Sequence, residues 1–446
     1  SLARRISPYR ASYLPEQRRE IEQALFHGDL VGVSATTALE LGIDVGDLDA
    51  TVIAGYPGTI ASTWQQAGRS GRRGKESFSA LVAQDNPLDQ YLMRHPGAFF
   101  GRPVERALVT LENPHVLQPH LLCAAYEAPL IEDDMALFGP ATSHHVASLV
   151  ELGLLRKDGP RWHLRPDVSY PAEKVNIRST SPNTYVMVEE GSGVVVETVE
   201  ESQAFFQLHD GAVYLHQGEP YLVKRLDRDT RTAYVAQEDV PYYTQCRDVT
   251  DIRVLKEWKS KRMGEVTVCL GEVEVSTLVV GYQKRKPYTE EVLAEEFLDL
   301  PPLRFNTVAL WYDISPALLA RLLRDKRDLA GGLHAAEHAA IGVLPLFAMC
   351  DRWDIGGVST PLHPDTGRPQ VFIYDGHPGG VGIAEEGYER IEELWRATLR
   401  AVAECPCRDG CPSCIQSPKC GNNNEPLDKQ VAIEMLQELV AAAERA

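Results

Sequence analysis

The 446-residue chain has no run of eighteen uncharged apolar residues, which excludes a membrane-spanning helix. Its first residues, Ser1-Leu2-Ala3-Arg4-Arg5, lack the apolar core of a signal peptide, so the default expectation is a cytoplasmic address. Positive charge is scarce: 45 Lys and Arg stand against 63 Asp and Glu, a formal balance of −18. That balance argues against a general polyanion-binding surface, although a channel gripping a nucleic-acid strand needs only local positive charge. No G-x-x-x-x-G-K-[ST] segment occurs, because the nearest string, Gly68 to Lys75, has one residue too many and is followed by Glu76. No Asp-Glu-Ala-Asp or Asp-Glu-Ala-His type segment for Mg²⁺ is present either, so the chain has no phosphate-cradling nucleotide site of its own. Cysteine outside one cluster is limited to Cys123, Cys246, Cys269 and Cys350, too scattered for a disulfide framework and suited to buried small apolar positions.

What is present is an ordinary globular composition, 44% apolar and 24% charged, long enough for three or four domains. Residues 1–95 alternate helix and strand. A helix is expected over Pro15–Leu25, with strands at Leu30–Ser34, Thr51–Ala54 and Leu81–Gln84, the succession of a partial parallel sheet. Residues 96–172 carry short helices broken by prolines. There Ser143 is placed to cap a helix with Val146, Leu149, Val150 and Leu152 on one face, followed by a hairpin turning at Asp158-Gly159-Pro160, the layout of a winged helix. Residues 173–290 are strand-rich, with turns at Asp210-Gly211 and Gln217-Gly218, and predict a small antiparallel β-barrel. Residues 291–446 turn helical again, with helices expected over Pro316–Leu323, Gly332–Leu344, Glu385–Ala403 and Lys429–Ala443.

Two motifs near the start carry chemistry. Gln65-Gln66-Ala67-Gly68-Arg69-Ser70-Gly71-Arg72 comes about twenty residues after Ala35-Thr36-Thr37-Ala38-Leu39-Glu40-Leu41-Gly42-Ile43-Asp44. Two arginines three apart on a Gly-punctuated turn can set two permanently charged guanidinium groups on the oxygens of a transferring phosphoryl group. Thr36 and Thr37, between a strand and a helix, suit a strand phosphate, read without sequence preference. The pair resembles the fifth and sixth motifs of superfamily 2 helicases, in the order of the second RecA-like motor domain, and the match extends through Tyr9–Arg19 and Gly55-Tyr56-Pro57-Gly58.

A second cluster reads Cys405-Pro-Cys407-Arg-Asp-Gly-Cys411-Pro-Ser-Cys414-Ile-Gln-Ser-Pro-Lys-Cys420. Cys411 and Cys414 form a CxxC knuckle that brings two thiolates to one ion, and four thiolates with no open position describe structural zinc. Five cysteines compete for four places: Cys411, Cys414 and Cys420 are the firmest, with Cys405 and Cys407 as alternatives for the fourth. Structural zinc sites bind with roughly 10–16 kcal/mol, more than the net stability of a typical domain, so loss of zinc is expected to unfold this end. Together with Leu333–His338, Met349–Asp354 and Ile373–Gly382, the cluster resembles the C-terminal zinc-binding domain of MrfA-type helicases, DNA repair motors of 3′ to 5′ polarity.

The resemblance implies a multidomain α/β chain from the C-terminal part of an ATP-dependent DNA helicase. It implies ATP and Mg²⁺ in the full-length protein, structural Zn²⁺, and DNA as partner at a single strand and duplex junction. Carried onto this sequence, Arg72 is the arginine finger with Arg69 beside it, and Gln65 couples nucleotide to the interface. Asp44, after Gly42 in the cofactor-binding segment, resembles the residue that reads the ribose or couples to Arg69. Because the chain opens without Met and inside a motor domain, the expectation is a fragment, inactive without an ATP-binding RecA-like half. Two rivals remain: a zinc-stabilised DNA-binding module with no motor role, and an inverted zinc peptidase built on His334-Ala335-Ala336-Glu337-His338.

Overall fold

The computed structural model describes residues 2–10, 15–40, 48–71, 76–105, 108, 110–175, 183–216 and 218–445. Gly42, Asp44 and Arg72 lie outside the described residues. The first region runs β1 (Ile6–Tyr9), α1 (Pro15–Phe26), β2 (Gly32–Ala35), β3 (Ala50–Ala54), α2 (Ile60–Ala67), β4 (Phe78–Val82), α3 (Pro87–Arg94) and α4 (Gly97–Phe100). β1 pairs parallel with β2, and β3 parallel with β4. The expected parallel strands are therefore present within a residue or three of their anticipated bounds. Gly58 turns the chain at φ +91, and the Thr59 hydroxyl then caps α2 by accepting from Ser62 N at 3.0 Å. Asn86 caps α3 in the same way ahead of Pro87.

The next region is α5 (Pro114–Glu127), α6 (Glu132–Leu137), α7 (Thr142–Glu151), β5 (Leu155–Asp158) and β6 (Arg161–Leu164). Leu117, Leu121, Val146, Leu149 and Leu155 form its core, and the β5–β6 hairpin turns at Gly159, φ +57. This is a winged helix, with two local departures from expectation. Ser143 lies inside α7 rather than capping it, and Leu152 is 64% exposed because the helix ends before it, at the left-handed Gly153.

The third region comprises β7 (Thr184–Glu189), β8 (Val195–Glu200), α8 (Glu201–Gln207), β9 (Val213–His216), β10 (Glu219–Asp227) and β11 (Thr232–Gln237). The strand order is β8-β7-β11-β10-β9, with β7 and β11 parallel. The expected closed antiparallel barrel is replaced by an open half-barrel, its end strands β8 and β9 unjoined among the described residues. The cause is α8: Ala204 and Phe205 pack onto Tyr185, Met187, Val223 and Val235, so a helix covers the face that barrel closure would have enclosed.

β12 (Tyr243–Met263) and β13 (Val266–Arg285) form a long hairpin that continues into β14 (Val292–Phe297), β15 (Leu303–Asp313), β16 (Ile355–Thr360) and β17 (Gln370–Asp375). The order β12-β13-β15-β17-β16, with β14 also on β13, makes one six-stranded sheet. The anticipated boundary at residue 290 falls inside this sheet, since β13 pairs on both of its edges. α9 (Pro316–Arg324), α10 (Leu329–Val343), α11 (Ile383–Glu389), α12 (Ile391–Ala403) and α13 (Lys429–Glu444) complete the chain. α10, α12 and α13 pack around fully buried Trp395 in the largest core. Gly332 allows α13 to close on α10, because a Cβ there would meet Val431 Cγ1 at 2.2 Å. The single helix expected over Glu385–Ala403 is two, broken at Arg390.

Candidate functional site

The two motor motifs meet through a carboxylate. Glu40 Oε2 accepts from Ser62 Oγ at 2.6 Å and from Gln66 Nε2 at 3.0 Å, tying the end of the β2 segment to α2. Arg69 donates from Nη2 to Glu40 O at 2.6 Å and from Nε to Gln65 O at 3.3 Å. Arg69 thus binds the fifth-motif segment to the turn of the sixth, while Gln65 is exposed on α2. Thr36 and Thr37 are also exposed; the Thr36 hydroxyl lies 3.5 Å from Ala38 N. The element that begins at Thr37 is a three-residue 3₁₀ turn, so the expected helix N-terminus is reduced to hydroxyls and a few backbone N–H groups. Sequence reasoning misses Glu40, though its place in Leu39-Glu40-Leu41-Gly42 is a signal. It also misses Glu105, which accepts from Ile60 N at 2.6 Å and Ala61 N at 3.3 Å, an acid at the positive end of α2.

Between α12 and α13 the chain folds four sulfurs together. Cys405 and Cys407 are 3.6 Å apart, Cys405 and Cys411 3.6 Å, Cys407 and Cys414 3.5 Å, and Cys411 and Cys414 3.8 Å. Four thiolates about 2.3 Å from one ion at tetrahedral angles lie about 3.8 Å apart, so the cage has the dimensions of a zinc site. Cys411 O accepts from the N–H groups of Cys414, Ile415 and Gln416, which shapes the knuckle. Gly410, at φ +109 against Ile415, makes the turn into it. Burial opposes ionisation of Cys405, yet the Cys407 backbone and neighbouring sulfurs draw its thiol down to about 7. Burial pushes Cys411 and Cys414 up. Lys429, at the start of α13 and 4% exposed, donates to Cys405 O at 2.8 Å, Cys407 O at 2.7 Å and Cys407 Sγ at 3.4 Å. A tetrathiolate zinc site carries net charge −2, and this ammonium is its countercharge.

Cys405 and Cys407 are therefore both in the cage, and Cys420 is not. Cys420 joins His334 and His338 instead, their ligand atoms lying within 4.8 Å of one another. The physical reason is the segment after Ile415, which carries Cys420 away to α10. Burial lowers His334, and burial with the His334 ring beside it pushes His338 down to about 4. Glu337, the would-be water-activating base, is turned to β16, where a Cβ on Gly357 would meet its Oε1 at 2.6 Å. The peptidase arrangement is not formed.

The Tyr374–Gly382 motif is a scaffold. Buried Asp375 accepts from the N–H groups of Val381, Gly382, Ile383 and Ala384, capping α11. Asn113, ahead of α5, donates to Pro378 O at 3.0 Å and Gly380 O at 2.7 Å, joining the winged helix to that loop.

Known proteins divide along the same lines. Residues 3–74 match the helicase conserved C-terminal domain, residues 109–180 the winged helix domain of the ATP-dependent helicase HRQ1, and residues 336–415 the MrfA zinc-binding domain. The last span contains all four caged cysteines and stops short of Cys420. The chain is 40% identical to the uncharacterized ATP-dependent helicase YprA of Bacillus subtilis over 92% of its length and 54% of that protein. It is 32% identical to the ATP-dependent helicase HRQ1 of Saccharomyces cerevisiae over 99% of its length and 42% of that protein. A solved structure of the DUF1998 helicase MrfA bound to DNA superposes with TM-score 0.62 at 37% identity, over 98% of this chain and 57% of that one. Another, bound to DNA and AMPPNP, gives TM-score 0.59 at 36% identity over 97% of this chain and 56% of that one. The chain spans about half the length of the curated relatives it matches.

A motor-type parallel sheet, a winged helix and a cysteine knuckle in this order define the C-terminal region of a superfamily 2 helicase. Within that class, the chain corresponds to the C-terminal region of the MrfA-type helicases. Its four-cysteine cage is a structural zinc site of that family's zinc-binding domain.

Proposed function

We propose that this chain is the C-terminal portion of an ATP-dependent 3′ to 5′ DNA helicase acting in DNA repair. Its turn after α2 completes an ATP site held on a separate RecA-like half. The observation that carries the reading is the joint between the two motifs. Glu40 and Arg69 lock residues 36–40 to the turn that leads to Arg72, so a nucleotide contact at the turn and a strand contact at Thr36 and Thr37 move as one body. In this reading Arg72 stabilises charge on the γ-phosphate, Arg69 holds the turn, and Gln65 faces the nucleotide from the exposed side of α2. Gly42 and Asp44 contribute to the same nucleotide face. ATP and Mg²⁺ are the cofactors of the motor, and hydroxyl contacts to DNA make binding sequence-tolerant. The cytoplasm suits a chain whose four clustered thiols must stay reduced to hold zinc.

The test is complementation. The chain is mixed with a separately produced ATP-binding RecA-like half, and ATP hydrolysis is measured with and without single-stranded DNA. DNA-stimulated hydrolysis that appears only in the mixture and drops by about 10³-fold or more in Arg72→Ala is the expected result. A folded mixture with no stimulation, or activity untouched by that substitution, ends the assignment.

A further inference from the structure

The cluster that Cys420 joins is not accounted for by a helicase. We propose that His334, His338 and Cys420 form a second metal site, taking a divalent ion of the zinc class, distinct from the four-cysteine cage. His334 and His338 are one helical turn apart on α10, with ring centroids 4.2 Å apart and planes at 62°. Each ring is oriented through its other nitrogen. His334 Nδ1 lies 2.9 Å from Pro426 O, and His338 Nδ1 lies 2.9 Å from Ile415 O. A carbonyl can only accept, so both Nδ1 atoms carry the proton and both Nε2 atoms present lone pairs. A ring fixed by an N–H to backbone carbonyl bond is the outer-shell arrangement of metal-binding histidines.

The thiol completes the set. Cys420 Sγ stands 3.5 Å from His334 Nε2, and it accepts from Asn424 N at 3.2 Å, which fixes its direction toward the histidines. An ion about 2.05 Å from nitrogen and 2.3 Å from sulfur at tetrahedral angles sets those atoms about 3.6 Å apart, so little movement is required. The carrying segment is itself pinned: Asn424 accepts from Ser417 N at 2.7 Å and donates to Ser417 O at 3.1 Å, closing the loop around Cys420. Its two ends supply the carbonyls of Ile415 and Pro426 that orient the histidines. Among the described residues no fourth His, Cys, Asp or Glu belongs to this group. His334 and Cys420 also fall outside the matched zinc-binding span of residues 336–415.

Zinc is the probe. The full chain is loaded with Zn²⁺, freed of excess metal by gel filtration, and its zinc counted against protein by mass spectrometry. Two equivalents are expected, falling to one in Cys420→Ser and in His334→Asn with the cage still filled. Cobalt exchange supplies the second readout, in which Cys420→Ser removes the thiolate-to-cobalt absorbance of the one-sulfur site and leaves that of the four-sulfur site. One equivalent in the parent chain overturns the proposal, as do two equivalents undiminished in whichever of the two variants folds.

Discussion

Lys429→Met tests the cage through its outer shell rather than its ligands. The ammonium makes two kinds of contact, and they predict separable effects. Its bonds to Cys405 O and Cys407 O exist whether or not an ion is bound, so their loss appears as stability. A hydrogen bond with a charged donor contributes about 1.5–3 kcal/mol, but burying an ammonium costs several kcal/mol that Met does not incur. The net destabilisation is therefore set at roughly 1–3 kcal/mol. The contact to Cys407 Sγ at 3.4 Å strengthens when that sulfur becomes part of a dianionic site, so its loss appears as zinc affinity. Outer-shell partners of metal ligands are worth about 10–100-fold in affinity. Zinc competition against a chromophoric chelator measures this directly, with denaturant unfolding of the loaded protein as the parallel assay. A folded Lys429→Met protein that holds zinc within about twofold of the parent refutes the countercharge argument, and leaves Lys429 as a backbone clamp alone.

Three other perturbations act on the same core. Glu385 is raised from 4.5 to about 7 by burial and by Asp375 beside it. Between those values the folded chain binds the extra proton, so stability is full below about pH 4.5, falls as pH rises toward 7, and is flat above. The loss is on the order of 3 kcal/mol. Glu385→Gln is expected to flatten that slope in urea titrations at a series of pH values, and an unchanged slope assigns it to another group. Asp375→Ala strands four backbone N–H donors at the start of α11 and is expected to cost about 3–5 kcal/mol in denaturant unfolding, with zinc content retained. Gly410→Ala places a Cβ 2.3 Å from Ile415 Cδ1 at φ +109, so unfolding is expected to show about 1–3 kcal/mol lost together with weaker zinc retention. Full zinc affinity in that variant shows that the knuckle does not need the turn.

Much of the motor region is legible in the sequence because its signals are local. The strand at Ala50–Ala54 holds a β-branched run, α2 and α3 start at capping residues, and the motifs sit at their junctions. The sheet past Tyr288 is not legible. β15 contains Val308-Ala309-Leu310-Trp311-Tyr312, buried on both faces and so without the alternation that marks a half-exposed strand. β12 and β13 are hidden differently: a hairpin of strands about twenty residues long pairs across positions far apart in the chain, and no local pattern records which partner β13 takes on its second edge. The cysteines show the same limit. Spacing identifies the knuckle of Cys411 and Cys414, whereas the partner of Cys420 is set by α10, more than eighty residues upstream in the chain.

That distant partnership bears on how motor and zinc domain act together. α3, the last full helix of the motor region, lies against α10 and α12, and Gly342 of α10 leaves room for Pro87. Tyr91 of α3 enters the core of the C-terminal region, and His95 pairs with Glu404 at 2.7 Å, one residue before the cage. Asp85 accepts from Ser413, inside the knuckle, at 3.4 Å. The zinc cage therefore touches the motor region directly. It fixes the turn between α12 and α13, while the second cluster fixes the loop beyond it to α10, so both metal-binding groups clamp helices that form one core with α3. Loss of zinc is therefore expected to loosen the contacts of Asp85 and His95 with the C-terminal region as well as the cage itself.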